Sequence, residues 1–302
     1  MLRIRRDQLT YEFSATTPPV AFIRPGEILV LETYDASTGR IRSPEDVHAY
    51  VRVRDPRRVN PAAGPIYVEG AAPGDALVVD ILDIRLESQG FVRTATGAGV
   101  VQEGIAAPEA VIVRVADGGL VFGEKVWLPA RPMIGVIGTA PAEGVVYTAA
   151  PGPQGSNLDV NAITTGSRVH LPVQVPGALL AIGDVHASMG DGEVSGTGVE
   201  INAEVTVRVD LEKGVAPARV WVETPEHWVA TGNGPTLDAA VEVAVEELTR
   251  MAMRLLGLSR TEAFMLVSAC GDVRIGQCAR IPGLDATAYA LLPKAVRRLG
   301  AG

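Results

Sequence analysis

The side chains best suited to acid–base or metal chemistry are concentrated in residues 182–200, which read IGDVHASMGDGEVSGTGVE. The segment contains five glycines, and one histidine and three carboxylates lie within ten residues of one another: Asp184, His186, Asp191 and Glu193. His186 is one of only four histidines in the chain. We therefore treat this segment as the candidate reactive centre.

Asp184 and His186 are two residues apart at the end of an apolar segment that is typical of a β-strand. On a strand such residues point to the same side, roughly 6–7 Å apart at Cα, so that a carboxylate and an imidazole can converge on one cation. Mixed oxygen and nitrogen ligands suit zinc or another borderline divalent metal. A hydrogen-bonded pair that only stabilises a turn fits the spacing equally well.

The sequence Met189-Gly-Asp-Gly192 predicts a turn that brings Glu193 close to Asp184 and His186. A carboxylate beside a metal-activated water is the arrangement that a hydrolase needs to accept a proton. The alternative is a solvated acidic hairpin tip, where Asp-Gly pairs are common. Spacing alone favours that alternative.

A second candidate segment, PGPQGSNLD at residues 151–159, lies upstream. Its Asn157 and Asp159 are again two residues apart in a glycine-containing loop. They can supply a second arm of a metal site or contact a substrate. Asp35 and Asp272 are further acidic candidates, although each is more typical of a turn or cap.

The elements that must position these residues are predicted to be mostly strands. Residues 200–210, EINAEVTVRVD, alternate apolar and polar side chains, as expected for a strand with one buried face. Short alternating runs separated by glycine- and proline-containing turns fill the first two thirds of the chain.

Helical signals come only near the end. Thr236 is a suitable N-cap for a helix over residues 237–256, and Gly257 is a suitable stop. Ser259 and Glu262 form a capping box for a second helix through about Ala269. We therefore predict a mainly β, β-sandwich-like architecture of short strands with a C-terminal helical hairpin. One domain is expected over residues 1–302, β-rich over 1–230, with a helical segment at 236–270 packed on it.

Composition excludes several classes of partner. The formal net charge of −8 argues against nucleic acid or an anionic membrane as a binding partner. Two cysteines, Cys270 and Cys278, provide no disulfide framework, and no secretory signal is recognised. No apolar run approaches the ~20 residues that a membrane span needs. We expect a cytoplasmic protein.

Five segments together resemble the acetamidase/formamidase family, in the family's order from about residue 59 to 278. They are GPIYVEGAAPGDALVVDILDI, PMIGVIGTAP, GPQGSNLD, LPVQVPGALLAIGDVHASMGDGEVSGTGVE and AFMLVSACGDVRIGQ. The resemblance implies a mostly β fold and hydrolysis of a short linear amide, such as formamide or acetamide, to a carboxylate and ammonia. It also implies a divalent metal, with zinc preferred and calcium as the alternative.

The resemblance also implies roles for individual residues. Asn157 and Asp159 match one family element, and Asp184, His186, Asp191 and Glu193 match another. We expect the metal ligands to be Asp159, Asp184 and His186, the catalytic residues to be Glu193, Asp191 and His186, and the substrate-binding residues to be Asn157, Gln154 and Gly192. Glu193 is the expected general base, and backbone N–H groups between Gly190 and Gly198 are candidate oxyanion donors.

Three positions depart from the family pattern. Gln154 stands where histidine is usual, Ser156 where glycine is usual and Ser195 where cysteine is usual. Glutamine does not titrate and offers a metal only a carbonyl oxygen. A non-catalytic or repurposed small-molecule-binding protein on the same scaffold therefore stays open as an alternative. A homodimer is expected, because β-rich chains with exposed edges often pair.

Overall fold

The computed structural model describes residues 1–299, and most of its regular elements are β-strands. The strands are β1 (Leu2–Ile4), β2 (Leu9–Thr10), β3 (Glu12–Phe13), β4 (Ala21–Ile23), β5 (Glu27–Thr33), β6 (Ala62–Val68), β7 (Ala76–Arg93), β8 (Ala110–Ala116), β9 (Gly119–Phe122), β10 (Val126–Leu128), β11 (Met133–Gly138), β12 (Val146–Tyr147), β13 (Pro151–Gly152), β14 (Gly155–Asn157), β15 (Arg168–Pro172), β16 (Leu180–His186), β17 (Glu200–Glu212), β18 (Trp221–Glu223), β19 (His227–Gly234), β20 (Asp272–Ile275) and β21 (Ala286–Pro293). The helices are α1 (Asp46–Val53), α2 (Leu237–Leu256) and α3 (Arg260–Cys270).

The longest pairing in the curled, mostly antiparallel sheet joins β7 and β17. It runs from Phe91 opposite Glu200 to Ala76 opposite Glu212. β17 pairs on its other side with β5, so it is a central strand. Its apolar face is buried as the alternation predicts, with these residues at most 1% exposed: Ile201, Ala203, Val205, Val207 and Val209.

β16 carries the candidate segment into the same sheet. It pairs with β6 on one side and β11 on the other, and it meets β17 through a single pair, His186 opposite Glu200. β11 also pairs with β14, so that Val136 has Gly183 on one side and Asn157 on the other. The two candidate segments are therefore separated by one strand.

The two C-terminal helices begin and end where the sequence predicts. The Thr236 side chain accepts a hydrogen bond from the Ala239 N–H, and Gly257 ends α2 in the left-handed conformation. Ser259 and Glu262 form the expected capping box of α3. Both helices pack against β21, and the buried side chains of α2 join those of β19 and β21 in one apolar cluster.

These elements confirm the predicted fold class, a mainly β protein with a C-terminal helical pair. We predicted no helix before residue 236 from the sequence, and that prediction is wrong for α1. Glu45 at the N-cap of α1 makes no side-chain capping hydrogen bond. Asp46 Oδ2 instead accepts a hydrogen bond from the Ser43 N–H at 2.8 Å, a local start signal that the sequence prediction did not use. The domain boundaries stay a prediction. Within residues 1–299 no helix is long and apolar enough to cross a membrane.

Candidate metal centre

Five ionisable side chains meet in a buried cluster, and each is at most 8% exposed. Asp159, His186 and Glu193 form one group of candidate ligands, and Asp184, His186 and Glu200 form another. Within each group the ligand atoms lie within 4.8 Å of one another. The imidazole of His186 is common to both groups, so we call these five residues the His186 cluster.

The His186 imidazole is held between a neighbour in its own strand and a partner across the sheet. Its Nε2 lies 3.1 Å from Glu200 Oε1 and 3.8 Å from Asp184 Oδ1. Asp184 does not follow the regular strand geometry that the sequence suggests. Its φ is +53°, and it has no partner in the pairing of β11 with β16, although Gly183 and Val185 on either side of it do. The local distortion, and not a simple two-residue period, sets the direction of this carboxylate.

Two other cluster residues share this unusual backbone conformation. Asp159 has φ +50° and Glu193 has φ +44°, both in the left-handed region that favours glycine. Such conformations cost of order 1–3 kcal/mol each and persist only where the surrounding fold imposes them. Three carboxylates held in this way around one imidazole indicate a site shaped for function.

Two glycines allow the cluster to pack against backbone. A Cβ on Gly135 would lie 2.6 Å from Asp159 Oδ1 and 2.9 Å from Asp184 Oδ2. A Cβ on Gly198 would lie 2.8 Å from His186 Nδ1. The Gly198 N–H donates a hydrogen bond to Glu193 Oε1 at 2.9 Å. The cluster therefore has no room for side chains at these two positions.

Several buried polar atoms of the cluster have no hydrogen-bond partner within residues 1–299. They are both carboxylate oxygens of Asp159, Oδ1 of Asp184 and both ring nitrogens of His186. The 3.1 Å approach of His186 to Glu200 is an ion-pair contact without hydrogen-bond geometry. Buried polar groups are normally paired, and buried charges are paired or bind metals. Carboxylates and an imidazole with unshared acceptor atoms fit a divalent cation.

The electrostatics of the cluster lead to the same conclusion. Burial, reinforced by Asp184, raises the pKa of Asp159 to about 8. Burial also raises the pKa of Glu200 to about 7, and burial together with Asp159 holds the pKa of Glu193 well above its usual range. Burial opposes protonation of His186, but Glu200 and Asp184 outweigh it and hold the imidazole pKa well above its usual range. Without a cation, these crowded carboxylates retain protons near neutral pH.

A cavity of about 140 Å³ leads to the cluster and is lined by Asn157, Glu193 and Glu200. Asn60 also lines it, and its Nδ2 donates to Asp184 Oδ2 at 2.8 Å and to Asn157 Oδ1 at 3.1 Å. The amide of Asn60 therefore links the two candidate segments. Asn157 lies where a small molecule approaching the cluster would meet it.

Asp191 lies apart from the His186 cluster, although it is only two residues from Glu193. Its Oδ1 accepts hydrogen bonds from Tyr289 Oη at 2.6 Å and from Asn161 Nδ2 at 2.8 Å. These contacts attach the turn to β21. The geometry gives Asp191 the position of a residue that supports the turn carrying Glu193.

Gly192 and Gln154 also make contacts outside the cavity. The Gly192 N–H donates to the carbonyl of Ile275 at 2.9 Å, and the Gly198 N–H is already bonded to Glu193. Neither N–H is free for an oxyanion. Gln154 is buried in the turn between β13 and β14 and does not line the cavity.

Asp35 and Asp272, the remaining acidic candidates, are not in the cluster. Asp35 Oδ1 accepts hydrogen bonds from the backbone N–H groups of Ser37 and Gly39, as a turn residue does. Asp272 is exposed at the start of β20.

Sequence reasoning missed two residues of the site, Glu200 and Asn60. Glu200 begins an alternating strand, and its position in that pattern predicted a place on the polar face. Its burial follows from the pairing with His186, which no local pattern reveals. Asn60 precedes Pro61 in a loop and has φ +52°. An Asn-Pro pair indicates a turn, but it does not indicate that the amide reaches Asp184.

Comparisons with known proteins identify relatives of this chain. Residues 6–150 and 142–297 match the Acetamidase/Formamidase family. The chain is 28% identical over 254 residues to the formamidase of Methylophilus methylotrophus, covering 65% of this chain and 62% of that protein. It is 28% identical over 261 residues to the acetamidase of Mycolicibacterium smegmatis, covering 65% of this chain and 64% of that protein.

The fold has a counterpart among solved structures. The crystal structure of an acetamidase from Bacillus halodurans matches with a TM-score of 0.90 and 36% sequence identity, over 97% of both chains. The matched region spans less than two thirds of the length of the two curated relatives. The family match nevertheless extends over almost the whole chain and includes every residue of the His186 cluster, so this protein belongs to the acetamidase/formamidase family.

Proposed function

We propose that this protein is a metal-dependent amidase that hydrolyses the C–N bond of a small linear amide to a carboxylate and ammonia. The observation that carries the proposal is the His186 cluster, which combines buried, unpaired ligand atoms with two carboxylates, Glu193 and Glu200, that line a small cavity. Membership of a family that includes a formamidase and an acetamidase supports the reaction class.

Asp159, Asp184 and His186 are the proposed metal ligands. Each has buried ligand atoms without a hydrogen-bond partner within residues 1–299, and His186 belongs to both groups of convergent ligand atoms. The imidazole makes zinc a better fit than calcium, which prefers oxygen ligands alone. A divalent cation bound there supplies a Lewis acid that polarises the amide carbonyl and lowers the pKa of water. Glu200 contacts the imidazole and fixes the orientation of the ring.

Glu193 is the proposed general base. Its Oε1 is held by the Gly198 N–H, which leaves Oε2 to take a proton from the attacking water and pass it to the leaving nitrogen. Burial and the neighbouring Asp159 hold the pKa of Glu193 well above its usual range, and a cation bound beside it would favour the ionised form that accepts a proton. Asn157, at the cavity wall, is the proposed contact for the substrate amide.

The proposal is tested by elemental analysis of the purified protein, followed by an ammonia-release assay with formamide and acetamide. We expect about one divalent metal per chain and ammonia release that chelation abolishes and zinc restores. Absence of metal together with no ammonia from either amide would favour the alternative of a binding protein on this scaffold.

Variants separate the role of base from that of ligand. Glu193→Gln is expected to keep its metal and to lose activity by at least about 100-fold, the contribution typical of a general base. If Glu193→Gln instead loses the metal, Glu193 is a ligand. Asp272→Asn, on the exposed surface, is the control for removing one carboxylate.

A further inference from the structure

The cavity that leads to Glu193 and Glu200 is also lined by two arginines, Arg54 and Arg93. Both side chains are partly buried. Across residues 1–299, the hydrogen bonds of these two residues are made by their backbones, and neither guanidinium has an ion-pair partner. Two guanidinium groups that share a pocket without a carboxylate bonded to either are available to a ligand.

The backbone holds both arginines in place. Arg93 is the last residue of β7, and its N–H donates to Thr197 Oγ1 at 3.0 Å, while Thr197 Oγ1 donates back to the Arg93 carbonyl at 3.3 Å. The Arg54 N–H donates to the Tyr50 carbonyl at 3.0 Å at the end of α1. The Arg93 guanidinium also lies over the Tyr50 ring, 5.9 Å from its centroid. These contacts fix the backbone at both positions, and the Tyr50 ring also packs against the Arg93 guanidinium.

The electrostatic surroundings of Arg93 include a second cationic side chain, Arg54. Burial lowers the pKa of Arg93, and repulsion by Arg54 lowers it further, although Tyr50 and Glu200 oppose the change. Both arginine side chains line one cavity, which places two cationic groups on its wall. A small anion in the cavity would accept charge-assisted hydrogen bonds from them.

We propose that Arg54 and Arg93 bind a carboxylate of the substrate, so that the preferred substrates are monoamides of short dicarboxylic acids. The inference rests on the proposed amidase function and specifies its substrate class. The amide group would lie against Glu193, and the distal carboxylate against the arginines. A cavity of about 140 Å³ is smaller than the ~300 Å³ or more that drug-sized ligands occupy, which restricts the substrate to a few heavy atoms.

The reaction balances without a co-reactant. Water adds across the amide, the C–N bond breaks and a C–O bond forms, so that malonamate and water yield malonate and ammonium. The alternative role for the arginines is that of counter-ions to Glu193 and Glu200, with no contact to substrate. The two roles differ in whether the arginines discriminate between charged and neutral amides.

The test compares amides of matched length in the metal-loaded protein. Propionamide is paired with malonamate, and butyramide with succinamate. We expect kcat/KM to be at least about tenfold higher for the charged member of a pair, the contribution of a charge-assisted hydrogen bond. Arg93→Gln should lower kcat/KM more for the charged member of each pair than for the neutral one, mainly through KM, so that the ratio between the two members falls to about one.

Arg40→Gln is the matched control. The Arg40 guanidinium also lies over the Tyr50 ring, 4.8 Å from its centroid, but Arg40 is exposed and does not line the cavity. This variant should keep the preference for charged amides. If Arg93→Gln lowers kcat/KM equally for both members of each pair, the arginines are counter-ions and the inference is overturned, while the proposed amidase function stands.

A binding measurement separates the two proposals in a second way. Malonate or succinate should raise the thermal unfolding temperature of wild type and of Arg40→Gln, but not that of Arg93→Gln. If no amide of either class is hydrolysed, the proposed function fails, and this protection alone would still support an anion site. Absence of protection in wild type overturns the inference.

Discussion

His186 and Glu200 face each other across the only pairing between β16 and β17, with His186 Nε2 3.1 Å from Glu200 Oε1. Both side chains are fully or almost fully buried. A carboxylate that contacts a ligating histidine orients its ring, and loss of that partner weakens metal binding. For the proposed metal site we therefore expect the pairing of β16 with β17 to influence metal affinity.

Glu200→Gln is expected to lower metal affinity by about 10- to 100-fold, because the amide cannot supply the negative charge that orients and polarises the imidazole. The measurement is competition with a chromophoric chelator. Glu204→Gln, on the same strand but paired with surface arginines, is the control and should bind metal as wild type does. Unchanged affinity in Glu200→Gln would remove Glu200 from the site.

Metal binding should release protons and strengthen as pH rises. The raised pKa values of Asp159, about 8, and Glu200, about 7, mean that the metal-free cluster is partly protonated at neutral pH. A cation must displace those protons, so affinity should increase about tenfold per pH unit for each proton displaced, between about pH 6 and 8. Calorimetry in two buffers of different ionisation enthalpy counts the protons. A pH-independent metal affinity would contradict the expectation that Asp159 and Glu200 hold protons in the metal-free protein.

The sequence was most informative where a signal is local. The caps at Thr236 and Ser259 gave the starts of α2 and α3, because a side chain that bonds a nearby N–H leaves a short-range pattern. The N-cap of α1, Glu45, makes no such bond, and the contact of Asp46 with the Ser43 N–H was not predicted. The alternation of β17 similarly gave its buried face.

The site was predictable only in part, for the same reason. Asp184, His186 and Glu193 lie in one glycine-rich segment whose composition draws attention to all three. Glu200 and Asn60 join them through strand pairing and a loop contact, which depend on residues far away in the chain. Spacing within the turn also could not show that Asp191 would be directed to Tyr289 and away from the cluster.

Gly198→Ala is expected to disturb the site more than the fold. The added Cβ would lie 2.8 Å from both Cγ and Nδ1 of His186, so the imidazole must move and its contact with Glu200 must lengthen. We expect at least tenfold weaker metal binding. Gly190→Ala, in the same segment, is the control, since its Cβ would have no atom within 4 Å. Equal metal affinity in the two variants would show that the imidazole position is not critical.

The free energy of unfolding should fall in acid partly because of His170, a histidine outside the His186 cluster. His170 lies opposite Trp221, with ring centroids 3.7 Å apart and an interplanar angle of 7°. Burial lowers the pKa of His170 to about 4, although Glu223 opposes the shift. The unfolded chain, with a histidine pKa near 6.5, therefore takes up this proton more readily than the folded protein.

The sign of the pH effect follows from that difference. The contribution of neutral His170 to stability is fully present above about pH 6.5 and is lost as pH falls towards 4. At pH 5 the loss is about 2 kcal/mol. Chemical denaturation of wild type and His170→Gln between pH 7 and 5 measures it, and the variant should show the shallower dependence. His48→Gln, on the exposed surface of α1, is the control for removing a histidine. Identical slopes for wild type and His170→Gln would show that His170 is not protonated on unfolding in this range.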